Sequence, residues 1–165
     1  MSVIIESVSE LADILEKSSL IKKDSLPTFS SESLAAMYAM GYELYRNGKY
    51  EDALAFFKLL TLSNSFERKY LMGLAACYQM LKDYEKALEC YSAAAIQNST
   101  DPYVHWHAAD CFFHSGNLIK AQEALESALV TAKQDNTHHA LIPKLELIAD
   151  AWSYLSNGGS NDRTN

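Results

Sequence analysis

The chain has 165 residues, 48% of them hydrophobic and 21% charged, with only 3 prolines and 6 glycines. A chain of this length can bury roughly 70% of its unfolded surface in one core, and the balance of residues favours helices. The formal charge of −7, with Lys and Arg scattered, excludes a nucleic-acid footprint and an anionic-membrane patch, and it disfavours acidic partners. No stretch approaches the ~18 uninterrupted apolar residues of a membrane span. The N-terminus carries acidic residues where a secretory signal needs a basic region and an apolar run, so a soluble protein without membrane insertion is expected. The 3 cysteines include no Cys-x-x-Cys pair, which predicts neither a disulfide framework nor a thiolate zinc site and suits a reducing, cytosolic compartment.

From the N-terminus, Ser7 to Glu10 reads as a capping box opening a short amphipathic helix through Leu11, Ile14 and Leu15. A polar, Pro-containing stretch over residues 24–31 links this helix to the rest of the chain, so 1–30 reads as helix plus linker. Three segments then stack without gaps at a spacing of 34, over residues 34–67, 68–101 and 102–135. Gly41, Ala75 and Ala109 fall in register, as do Leu44, Tyr78 and Phe112, then Ala53, Ala87 and Ala121, then Phe57, Tyr91 and Leu125. Small residues recurring beside large ones predict two antiparallel helices per repeat, packed closely where the side chain is small. The turns repeat too: Gly48 and Gly116 suit the left-handed conformation that ends a helix, with Asp83 as a poorer stand-in between them. Asp101-Pro102 supplies an N-cap and a first-turn proline for the third hairpin. Leu141, Leu145, Ile148, Ala149 and Trp152 recur at helical spacing and predict a capping helix over 138–155, before a disordered tail over 156–165.

These offsets resemble the tetratricopeptide-repeat family across about residues 34–135. The resemblance implies an all-α short solenoid of three helical hairpins, in a repeat domain over 31–155 that includes the capping helix. Ser65 and Ser99 stand where that family has proline, and Met37, Leu71 and His105 where it has tryptophan. The first helix of each repeat is expected to line a concave face. Its second, fifth, ninth, twelfth and thirteenth positions are Ala35, Tyr38, Tyr42, Tyr45 and Arg46; then Lys69, Met72, Ala76, Gln79 and Met80; then Tyr103, Trp106, Asp110, Phe113 and His114. A solvated face is normally polar, so an aromatic and Met-rich stripe points either to an extended apolar peptide or to packing against a terminal helix or a second copy.

Chemistry finds no foothold. His105 and His107 are two apart on a helix and point in different directions, and His138-His139 has no adjacent carboxylate pair or cysteine. Cys77, Cys90 and Cys111 read as buried small hydrophobes. No Gly-rich phosphate loop or nucleophile elbow occurs, so no catalytic residue, metal or cofactor is expected.

Several stretches are similar to one bacterial family, the class II chaperones of type III secretion of the LcrH/SycD kind. They are Tyr45 to Ala53 with Phe57, Tyr70 to Gln79, and Asp101-Pro102 followed by His107 to Cys111. This resemblance implies a bacterial cytosolic chaperone that holds an extended N-terminal segment of hydrophobic secreted translocators in the concave face and keeps them secretion-competent. It also implies a homodimer, with Val8, Leu11, Ile14 and Leu15 as contacts, and in some members assistance to a transcription activator. A general repeat adaptor, such as a clamp for an acidic C-terminus, would instead need Lys, Arg and Asn where Tyr38 and Tyr42 stand.

Overall fold

The computed structural model describes residues 29–158, with side chains through residue 155. Within that range all regular structure is helical: α1 (Ser31–Arg46), α2 (Tyr50–Ser63), α3 (Arg68–Met80), α4 (Tyr84–Gln97), α5 (Pro102–His114), α6 (Leu118–Gln134), a 3-10 segment (Asn136–Leu141) and α7 (Ile142–Gly158). The chain divides into two compact units, Met1–Cys90 and Tyr91–Asn165. Val8, Leu11, Ile14 and Leu15 lie outside the described residues.

In the first unit, α1 opens on Ser30, whose hydroxyl oxygen accepts the Ser33 amide at 3.1 Å, satisfying one of the amides a helix start leaves without a partner. Ala53, Phe57 and Leu60 of α2 and Tyr70, Leu74 and Cys77 of α3 form the buried core, flanked by Met37, Tyr38 and Leu44 of α1. Burying a side chain such as Phe57 or Leu60 contributes about 1.5–3 kcal/mol. Small residues set how closely these helices approach. A Cβ on Gly41 would meet the Phe56 Cβ at 3.1 Å, whereas one on Gly73 would stand 2.2 Å from the Phe57 ring. Gly73 is therefore obligatory for Phe57 to lie where it does.

In the second unit, Asp101 caps α5 through the Tyr103 amide at 2.8 Å, with Pro102 in the first turn. Asn117 caps α6 through the Lys120 amide at 3.2 Å. Ala109, Ala121, Leu125, Ala128 and Ala132 pack with Leu141, Leu145 and Trp152 in one core, the alanines admitting the bulkier residues of the terminal helix. That helix does not start at His138. Asp135 accepts the Thr137 amide at 2.9 Å and begins a 3-10 segment that holds His138 and His139. The α-helix starts only at Ile142, where Pro143 sits in the first turn and its missing N–H costs nothing, and it continues to Gly158, past the expected end at 155.

The hairpin turns share one geometry. Gly48 (φ 74°), Lys82 (φ 64°) and Gly116 (φ 82°) all take the left-handed conformation. In each turn the next amide reaches back five residues, Lys49 to Leu44, Asp83 to Tyr78 and Asn117 to Phe112, at 2.9 Å, closing the C-terminal carbonyls. The left-handed residue of the second turn is thus Lys82 and not Asp83, since the register of 34 outranks residue preference. Asp83 instead caps the start of α4, accepting the Lys86 amide at 3.3 Å and pairing with the Lys86 ammonium at 2.9 Å.

Candidate functional site

The first unit carries an open cleft of about 270 Å³, walled by Tyr38, Tyr42 and Tyr45 of α1 and Lys69, Met72 and Ala76 of α3, with Phe57, Arg68 and Gly73 completing it. Tyr38, Tyr42 and Tyr45 share a helix face because they recur at four and three residues, and Lys69, Met72 and Ala76 do so at three and four. The Tyr38 ring is fixed by its neighbours: stacked on Tyr42 at 6.4 Å, edge-on to Phe57 at 5.9 Å and tilted to Tyr70 at 6.0 Å. Tyr45 meets Tyr50 edge-on at 5.5 Å. Burial, followed by the nearby Cys77, Tyr50 and Tyr42, pushes the Tyr45 phenol above its ordinary range, so at neutral pH it keeps its proton. Tyr42 is 49% exposed, an aromatic wall without a full cover. The Lys69 ammonium sits 5.4 Å from the centres of both the Tyr38 and Tyr70 rings.

Sequence reasoning did not assign Phe57 and Gly73 to this cleft. A glycine inside a helix costs about 1 kcal/mol relative to alanine, and that cost was the available signal that another group comes close there. Ala35, Gln79 and Met80 are not among the lining residues; Ala35 and Met80 are exposed.

In the second unit the corresponding positions meet the protein's own C-terminal elements. Phe113 stacks on Trp152 of α7 at 4.5 Å and 4°. Trp106 lies under the Lys144 ammonium at 4.2 Å and stacks on His107 at 5.3 Å, whose other stacking partner is Tyr91 at 5.5 Å. Tyr103 meets His138 edge-on at 5.8 Å and stays 41% exposed. Asp110 and His114 pair with each other at 3.4 Å. Of the two sequence readings of the stripe, packing against a terminal helix therefore describes Trp106 and Phe113, while the open cleft belongs to the first two repeats.

No group of three or more His, Cys, Asp or Glu side chains placed to hold a metal occurs among the described residues. Burial pushes the thiols of Cys77 and Cys111 up to about 12, and that of Cys90 to about 11, so all three stay protonated and unreactive near neutrality. No described helix is long and apolar enough to cross a membrane.

Two-helix hairpins at a constant 34-residue period define a helical-repeat protein. A tetratricopeptide-repeat profile matches residues 38–102 and 81–137. Low calcium response locus protein H of Yersinia pestis is 34% identical over 100 residues, which cover 61% of this chain and 60% of that protein. The match thus spans less than two thirds of that relative's length. PcrH, from Pseudomonas aeruginosa, solved in complex with the chaperone binding region of PopD, is 32% identical, with a TM-score of 0.75 over 80% of this chain and 99% of the other. The Yersinia enterocolitica type III secretion chaperone SycD, solved with a peptide of the translocator YopD, is 27% identical, with a TM-score of 0.71 over 78% of this chain and 98% of the other. The chain belongs to the tetratricopeptide-repeat family and, within it, to the LcrH/SycD-like type III secretion chaperones.

Proposed function

We propose that this protein is a bacterial cytosolic chaperone that holds an extended segment of hydrophobic translocator proteins in the cleft between α1 and α3, keeping them soluble and competent for export. The observation that carries the reading is the cleft itself: aromatic walls, a Met side chain able to adjust its shape, and a half-exposed Tyr42 that a ligand would cover. It is supported by two relatives solved with bound segments, PcrH with the chaperone binding region of PopD and SycD with a peptide of the translocator YopD. An extended segment suits the role, because a chain already extended loses less entropy on docking and can still be released. A homodimer through Val8, Leu11, Ile14 and Leu15 belongs to the same proposal, as does export without any catalytic step.

The test is co-expression with a translocator encoded beside the gene. Tyr42→Ala combined with Met72→Ala should leave helical circular dichroism and melting nearly unchanged, since both side chains are at least partly exposed, and should cut co-purification of the partner at least tenfold. Undiminished recovery would refute the cleft as the binding site. Trp106 is a poor choice for this test, because its contacts with Lys144 and His107 make its loss a stability change as well.

A further inference from the structure

The net charge of the chain points away from acidic partners, yet the cleft has the opposite local character. Its lining includes two cations, Arg68 and Lys69, and no carboxylate, in a protein of charge −7. Arg68 is half-buried and engaged within the protein, whereas Lys69 is exposed and its ammonium rests against the rings of Tyr38 and Tyr70. No ion pair joins it to a carboxylate among the described residues. Two aromatic faces hold the charge at the rim by cation–π attraction without neutralising it. With no carboxylate in the lining, an acidic group entering the cleft beside Tyr38 meets the Lys69 ammonium.

We propose that Lys69 is a specificity determinant of the cleft, selecting a segment in which an acidic side chain lies within two residues of the apolar anchor. The inference rests on the reading of the cleft as a segment-binding site. Lys69, Met72 and Ala76 lie on one face of α3 and span about 10 Å along its axis, a length that an extended segment covers in three or four residues. An apolar side chain seated against Met72 and Tyr42 therefore places the side chain one or two residues away beside the Lys69 ammonium. The pairing gains strength as the segment covers it, because a charged hydrogen bond shielded from water contributes more than an exposed ion pair. It also acts as a filter: a basic residue at the same place would meet a cation at short range.

The experiment is selection of random twelve-residue peptides from a display library on the full chain, repeated on Lys69→Glu and Tyr42→Ala. The wild-type chain should enrich an apolar residue with Asp or Glu within two positions, and Lys69→Glu should enrich Lys or Arg at that place instead. A synthetic peptide made from the wild-type consensus should bind Lys69→Glu about tenfold more weakly, and Lys69→Arg within about twofold. The difference should shrink as salt is raised. Peptides that depend on Tyr42 but show no acidic preference, or that ignore Lys69→Glu, overturn the role of Lys69 and leave the cleft standing. If no peptide is enriched, or enrichment survives Tyr42→Ala, the cleft reading falls and this inference with it.

Discussion

Tyr38 and Trp106 occupy the same position in their repeats, as do Tyr45 and Phe113, yet their surroundings differ. In the first unit the tyrosines and Met72 wall a cleft open to solvent. In the second unit Trp106 and Phe113 pack against Lys144 and Trp152 of the terminal helix. A stack of hairpins must end somewhere, and its last hairpin offers an apolar surface with no following repeat to cover it. Here α7 supplies the cover and takes aromatic residues that, in an inner repeat, would be available to a ligand. An aromatic stripe read from register thus has two fates, an open cleft in the first unit and end-sealing in the second.

The comparison breaks most directly at Trp152. Trp152→Ala removes both the stack on Phe113 and a buried part of the core, and it should cost about 3–5 kcal/mol, seen as earlier thermal unfolding. With Trp106 as the remaining tryptophan, its emission should shift to the red as α7 loosens; a cost under about 1 kcal/mol would mean that α7 does not seal this end. In the first unit, Gly73→Ala drives a methyl group into the Phe57 ring and should cost about 1–3 kcal/mol, largely recovered by adding Phe57→Leu. Failure of that rescue would place the strain elsewhere.

A gentler probe is pH. Burial lowers the His107 pKa, outweighing Asp110 and Asp101, which raise it, while Lys144 lowers it further. The unfolded chain, titrating near 6.5, then binds more protons than the folded one, so stability should fall as pH drops through and below that value. Melting of wild type and His107→Gln between pH 7.5 and 5.5, a range chosen to bracket roughly that value, should show a smaller decline in the variant; equal declines would assign the sensitivity to other groups. The smallest effect belongs to the middle turn. Lys82→Gly relieves a left-handed backbone at a residue with a Cβ and should stabilise by up to about 1 kcal/mol in chemical denaturation, whereas Gly48→Ala and Gly116→Ala should destabilise by a similar amount.

Much of the fold is legible along the chain, for identifiable reasons. The alternation of Gly41, Ala75 and Ala109 with Leu44, Tyr78 and Phe112 is a packing rule repeated along the chain, so the hairpins follow from spacing. Asp101-Pro102 marks a helix start by chemistry that acts within three residues. Lys82 is less visible, because residue preference points to Asp83, although the shared 34-residue register with Gly48 and Gly116 holds the answer. Phe57 enters the cleft unannounced, since only the gap left by Gly73 on a different helix reveals its ring.

The amino-acid sequence by itself determined the period, the helix pairs, their caps and the aromatic stripe, because each depends on residues close together in the chain. Only the tertiary structure decided which part of the stripe stays open. That outcome depends on how α7 meets Trp106 and Phe113, and on Lys69 resting on Tyr38 across two helices. Such contacts join residues tens of positions apart, and spacing along the chain carries no record of which ones form.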